Sequence, residues 1–208
     1  DLTGEWTPIG AFAAAGEDGE TPDAAYAFTG TFDGNGKTIS GLTVDGDIAA
    51  GLFGCVANGT VKNVTIENAD ITGSCMAAAA VGYAYQSEVS NVKLTGTNTI
   101  TAKGLNYYGT DMAPNMVAGI VGAGMDSAIK NCTVENTTMT VAGLNDAYGW
   151  GANVHDVGLL GGGLENTSLI GCTVTDSTLT VTGASAFGIG GLSGCAMGAD
   201  EVTNCSVS

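Results

Sequence analysis

One six-residue pattern, apolar–x–Asn/Gly–apolar–x–apolar, constrains the fold of this chain more than any other feature. It occurs six times: ISGLTV from Ile39, VKNVTI from Val61, VSNVKL from Val89, IKNCTV from Ile129, LIGCTV from Leu169 and VTNCSV from Val202. The starts are 22 to 40 residues apart, so the motif is constant while its spacing varies. That behaviour belongs to folds that stack equivalent turns and take insertions in the loops between them. Positions four and six of the motif point to one side of a strand. Position five, between them, is Thr, Lys or Ser and faces water. Position three is Gly41, Asn63, Asn91, Asn131, Gly171 or Asn204, the two residue types that best tolerate positive φ, so this column marks a bend in every turn.

Two further column sets accompany the motif. GTFD from Gly30, GLFG from Gly51, AAVG from Ala79, GIVG from Gly119, GLLG from Gly158 and GLSG from Gly191 align before it; Ile71, Ile100, Met139 and Leu179 follow it. A full turn then offers about three short strands, and about six turns stack into an all-β parallel solenoid, a β-helix. The whole chain, 1–208, reads as a single solenoid domain. Residues 1–30 are expected to cap the open edge of the first turn, because an uncovered edge invites pairing with other chains. No matching cap stands at the other end, which predicts either a continuing parent chain or end-to-end self-association. With no initiator Met and no signal peptide, the chain reads as a processed or excised piece of a longer protein.

Charge narrows the partners. There are 21 acidic residues against five lysines and no arginine, a net charge of −16 that repels phosphate backbones and anionic lipid, so neither nucleic acid nor membrane is an expected partner. No apolar run reaches the roughly 18 residues of a membrane span; MAAAAVGYAY from Met76 is the nearest. Cys132, Cys172 and Cys205 occupy an apolar column and read as buried thiols acting as small hydrophobes, with a Cys172–Cys205 disulfide as the main alternative. There is no CxxC and one histidine, so no zinc site, metal or other cofactor is expected. The acidic loop GEDGETPD (Gly16 to Asp23) lacks EF-hand spacing and reads as a solvated loop rather than a calcium site. Six Asn-x-Ser/Thr triplets are the chance product of an Asn/Thr-rich chain.

The N-terminal half carries a family likeness. WTPIG from Trp6, FTGTFDGNGKTISGLTV from Phe28, and GLFG followed by VKNVTI closely resemble the GLUG-motif β-helix repeats of bacterial surface proteins. Those repeats occur in adhesins and in the non-catalytic N-terminal regions of IgA1-protease-type metallopeptidases. The resemblance covers nearly the whole chain and is looser from Gly158 onward. It implies a right-handed parallel β-helix in a secreted or cell-surface bacterial protein. It does not carry over protease activity, because an HExxH zinc site needs two histidines and this chain has only His155.

The repeat itself holds no catalytic pattern. Asp33 in FDGNG, with Asp45 and Asp47 nearby, is better explained by a tight turn than by the facing carboxylates of a polysaccharide-active enzyme. The chain therefore reads as non-enzymatic. Two insertions, 103–116 and 144–157, leave successive turns at the same corner and bring together Tyr107, Tyr108, Asp111, Asn115, Tyr148, Trp150, Asn153, His155 and Asp156, with Asp146 close by. Aromatic faces among neutral and acidic hydrogen-bonding groups suit carbohydrate or peptide recognition, so the expected role is an adhesin-like module that binds glycan or protein there, or a spacer. A rival reading is ice binding. Thr99/Thr101, Thr138/Thr140 and Thr178/Thr180, preceded by Asp70/Thr72, align as a Thr-x-Thr array with apolar residues between.

Overall fold

The computed structural model describes residues 4–15, 19–102, 116–143, 153–182, 185–198 and 201–208. These form an all-β molecule in which every pairing between strands is parallel. Three curled sheets contain 5, 5 and 12 strands. The first runs through Ala49–Ala50, Met76–Ala78, Met116–Ala118, Asn153–Gly158 and Ser185–Gly190; the second through Phe53–Ala57, Val81–Tyr85, Val121–Met125, Gly161–Glu165 and Ser193–Met197. The third collects the repeated motif and the strands around it. The chain visits the three in rotation, and each pass lies beside the previous one.

The motif columns fall in register from the second occurrence onward. Val61, Val89, Ile129, Leu169 and Val202 pair in succession, as do Ile66, Leu94, Val134, Val174 and Val207. Position three has positive φ in the five copies from Val61 onward, between 51° at Asn91 and 65° at Gly171. Two more bend columns flank it at five-residue spacing: Asn58, Gln86, Asp126 and Asn166 before it, and Asn68, Gly96, Asn136 and Asp176 after it, all with φ between 44° and 79°. Asn, Asp and Gly are the residues for which this left-handed conformation costs least.

At several bends the next residue points inward, and a polar side chain there ties one pass to the next. Ser127 Oγ donates to Ala84 O at 3.1 Å and accepts from Ser87 N at 3.0 Å. Thr137 Oγ1 donates to Leu94 O at 3.2 Å. Cys132, Cys172 and Cys205 hold the same place in the middle column, their thiols directed at the carbonyls of Val89, Ile129 and Leu169 at 3.4–3.6 Å. The thiols thus repeat the serine and threonine geometry instead of only filling space, and all six cysteines are free, Cys172 and Cys205 included. Burial pushes Cys132 well above the ordinary thiol value.

Three alignments read from the sequence are corrected. GTFD does not precede the motif, because Phe32 pairs with Val61 and Ile39 with Ile66. The segment TFDGNGKTIS is itself the first copy, widened by an irregularity between Asp33 and Lys37, and Leu42 and Val44 belong to the following column, where Val44 pairs with Ile71. GLLG is offset by one residue, since Val121 pairs with Gly161. Met139 pairs with Asn98 rather than Ile100, and Val141 with Ile100, because the pairing shifts between Val134 and Thr137.

The core is the interior shared by the sheets, with Phe53, Ile66, Ile71, Leu94, Ile100, Ile120, Ile129 and Leu160 almost wholly buried. Residues near the N-terminus reach the first edges through parallel bridges Glu5 to Thr43, Ile9 to Phe53 and Phe28 to Val56, and Trp6 Nε1 donates to Leu52 O at 3.1 Å. Among the described residues no helix is long and apolar enough to cross a membrane.

Candidate binding site

The strands of the second sheet alternate side chains in and out, and their outward positions form a face with its own chemistry. One outward column runs Cys55, Tyr83, Ala123, Gly163, Cys195; the next runs Ala57, Tyr85, Met125, Glu165, Met197. In the early passes this face is covered. Phe12 packs edge-on against Tyr83, ring centroids 5.2 Å apart at 82°, and Tyr83 Oη donates to Glu20 O at 3.0 Å. Phe12, Cys55, Cys75, Met76 and Tyr83 form a second buried cluster outside the main core. Desolvation there pushes Cys55 up to about 12 and Cys75 up to about 11, so both stay thiols.

Further along, the column loses side-chain volume, from Tyr83 to Ala123 to Gly163. The volume so vacated is a cavity of about 260 Å³ between the first two sheets. Its walls are apolar and sulfur-rich, with Met76, Met116, Met125 and Met197 beside Phe12 and Tyr83. Three acidic residues reach it: Glu20, Asp156 and Glu165.

Asp156 sits in a slot made by glycines. A Cβ on Gly188 would lie 2.8 Å from Asp156 Oδ1, and one on Gly163 would lie 3.4 Å from Asp156 Oδ2 and 2.8 Å from Met116 Sδ. Asp156 itself has φ 48°, a kink that turns it out of the regular alternation. Partial burial pushes its carboxyl above the ordinary 3.8, with His155 lowering it to a lesser extent. The same charge, added to desolvation, raises the neighbouring Cys195 thiol.

Of the residues expected at the insertion corner, Tyr107, Tyr108, Asp111, Asn115, Tyr148 and Trp150 lie outside the described residues, as does Asp146. Asn153 and His155 lie on the strand Asn153–Gly158, paired with Ser185 and Phe187, and His155 is half-buried. Of the three named residues that are described, Asp156 lines the cavity. The first insertion re-enters the first sheet at Met116, which lines the cavity too, and the second re-enters just before Asp156. Sequence reasoning missed the methionines, Phe12 and Tyr83. The signal was present in MAAAAVGYAY, whose strands Met76–Ala78 and Val81–Tyr85 are buried on both faces almost throughout and so must be covered on the outside as well.

Elsewhere the carboxylates serve the repeat. Asp33 accepts from Asn63 Nδ2 at 3.0 Å and from Asn35 N at 2.9 Å, and these bonds hold it below the ordinary carboxylate value. Glu88 accepts from Lys130 Nζ at 2.7 Å, and Lys93 pairs with Glu135. In the acidic loop, Asp23 accepts from Ala25 N at 2.8 Å, a local turn, while 16–18 lie outside the described residues. Among the described residues no group of three or more His, Cys, Asp or Glu is arranged to hold a metal ion.

The threonine face is wider than the sequence indicated. With the corrected register, Thr97, Thr138 and Thr178 form one column, Thr99, Thr140 and Thr180 a second continuing from Asp70, and Thr72 and Thr101 lead a third through Ala142 to Thr182.

No family model matches the chain, and no solved structure matches it. A stretch of 74 residues, 34% of the chain, is 45% identical to part of halomucin from Haloquadratum walsbyi, and this match spans 1% of that protein's length. It is a local likeness to a small part of a far larger protein.

Proposed function

We propose that the chain is a right-handed parallel β-helix of about six turns that acts as a non-enzymatic, adhesin-like module of a secreted or cell-surface bacterial protein. Its ligand, a glycan or protein, is engaged at the corner where the two insertions return to the first sheet. The observation that carries this reading is the cavity at that corner, lined by Met116 and Asp156, the points at which 103–116 and 144–157 rejoin the strands. The likeness to GLUG repeats and the regular parallel passes support the β-helix and its use as a display scaffold. The engagement of Asp33 and Glu88 by Asn63 and Lys130 speaks for structural carboxylates over the paired acid and base of a polysaccharide-active enzyme.

The test is binding to a printed panel of glycans by the chain and by its Trp150→Ala/Tyr108→Ala double variant. Selective binding that the double variant loses, with unchanged thermal unfolding, supports the corner. Selective binding that survives the substitution overturns it, and absence of selective binding removes the glycan form of the reading.

The threonine columns favour ice binding as a second reading. Three passes present Thr at alternate positions, about 6.7 Å apart along a strand and about 4.8 Å apart between strands, with Ala142 the one substitution in the array. Thr140 sits at its centre, between Thr99 and Thr180. Ice-crystal shaping that Thr140→Tyr abolishes would establish it; absence of thermal hysteresis in the intact chain rejects it.

A further inference from the structure

We propose that the cavity between the first two sheets is a binding site for a small organic cation with an apolar body, an alkyl- or arylammonium group. The inference rests on the corner reading above and names the chemistry that the corner accepts.

Shape and charge lead to this class together. The cavity of about 260 Å³ lies just below the usual 300–1,000 Å³ range of small-molecule pockets, which fits a ligand of one ring or a short chain. Its walls offer Met116, Met125 and Met197, whose thioethers are soft and adaptable partners for apolar and aromatic groups. Tyr83 and Phe12 at one end present ring surface of the kind that attracts a cation. Among the described lining residues the charged groups are of one sign: Asp156 is seated beside Gly163 and Gly188, and Glu165 and Glu20 also line the cavity. Among the described residues no lysine lines the cavity; Lys62, Lys93 and Lys130 are committed to Asp33, Glu135 and Glu88 on the third sheet. A neutral apolar ligand would leave the half-buried Asp156 charge desolvated, with His155 on its own strand offsetting only part of the cost. An anion would be repelled by that charge. An ammonium placed at Asp156 restores the lost solvation as a charge-assisted hydrogen bond while its body fills the volume left by Ala123 and Gly163.

Asp156 is also specifically positioned. Gly188 leaves room for the carboxylate, since a Cβ there would lie 2.8 Å from Asp156 Oδ1, whereas a Cβ at Gly163 would press on Met116 Sδ at 2.8 Å and only touch Asp156 Oδ2 at 3.4 Å.

The experiment is calorimetric titration of the full 208-residue chain with 2-phenylethylammonium, and with 2-phenylethanol as a neutral counterpart of the same shape. Binding of the ammonium at least tenfold tighter than of the alcohol is expected. In Asp156→Asn that preference should collapse to less than threefold, and in Gly163→Leu, which fills the cavity, both ligands should lose binding. Equal affinity for the two ligands in the intact chain, or a preference unchanged in Asp156→Asn, overturns the proposal. If Gly163→Leu fails to fold, Asp156→Asn decides alone. The Trp150→Ala/Tyr108→Ala variant separates this proposal from the one it rests on. Ammonium binding retained while macromolecular binding survives the double substitution leaves the cavity site standing and the corner reading rejected. Ammonium binding absent while macromolecular binding is lost in the double variant does the reverse.

Discussion

Asn63 and Asn91 each carry two roles. Each takes the left-handed backbone, and the amides also link passes: Asn91 Nδ2 donates to Asn63 Oδ1 at 3.2 Å, and Asn63 Nδ2 to Asp33. Asn91→Ala loses both and should destabilise by about 1–2 kcal/mol, whereas Asn91→Gly keeps the backbone freedom and should cost less. Urea unfolding midpoints compare the two, and equal losses would refute the backbone part of this account. Ser127→Ala strands the Ser87 N–H and the Ala84 carbonyl inside the molecule and should cost about 1–3 kcal/mol by the same measurement. Asp156 behaves in the opposite sense. Its folded carboxyl lies above the ordinary 3.8, so the folded chain holds this proton more tightly than the unfolded chain. Stability is therefore lost as pH rises from about the ordinary value through the folded one, and at neutral pH the charge is a cost. The groups around it are His155 on its own strand, Cys195 on the second sheet, and Glu165 and Glu20 at the cavity margin. Asp156→Asn should melt at a higher temperature than the parent at pH 7, with the difference fading below about pH 4; an identical or lower melting temperature at pH 7 contradicts the assignment.

At the scale of the strand, the register of the third sheet turns on Asn98. The pass containing Leu94 has one residue fewer before its outer strand than the next pass, so Thr97 pairs with Thr138 and Asn98 falls opposite Met139. An amide in an apolar column needs partners, and Asn98 has them: its Oδ1 accepts from Ala69 N at 2.8 Å, and its Nδ2 donates to Thr95 O and Gly96 O at 3.1 and 3.2 Å. It does for Ala69 what Ser177 Oγ does for Thr137 N in a later pass. Asn98→Leu restores the apolar column but leaves the Ala69 N–H without its acceptor, and should cost about 1–3 kcal/mol in urea unfolding. A neutral effect would show that the strand slips to the alignment the threonine pattern suggests. That alignment misled because a period of two repeats itself: shifting Thr-x-Thr by two residues leaves the pattern intact.

Across the whole molecule, charge and edges set the behaviour. A net charge of −16 on 208 residues places acids close to acids, and only screening relieves it. The melting temperature should rise by a few degrees as salt increases from about 0.01 to 0.15 M, over which the Debye length falls from about 30 to 8 Å. A flat salt response would refute a repulsion of this kind as a significant term in the stability. The last pass differs from the others in exposing Ile189, Val202 and Val207, whose counterparts Val157, Leu169 and Val174 are buried.

The parallel all-β arrangement, the inward columns and the bend at position three were legible because each follows from a local rule. Alternation along a strand fixes which residues share a side, and the Asn/Gly column marks where only a left-handed backbone fits. The flanking bends were legible too, at five-residue spacing, once Asp and Gln are admitted beside Asn and Gly. The cavity was not. It depends on Tyr83, Ala123 and Gly163 standing in one outward column, on Phe12 covering one end of it, and on glycines 163 and 188 leaving room for Asp156. Those residues are 7 to 71 positions apart in pairs along the chain, counting from Asp156–Gly163 to Phe12–Tyr83. No periodicity announces them. The sequence by itself determined the stacking, because stacking is the sum of identical local choices repeated pass after pass. Only the tertiary structure decided the site, because a site arises where one pass departs from the next, and the size of that departure is set by neighbours in space.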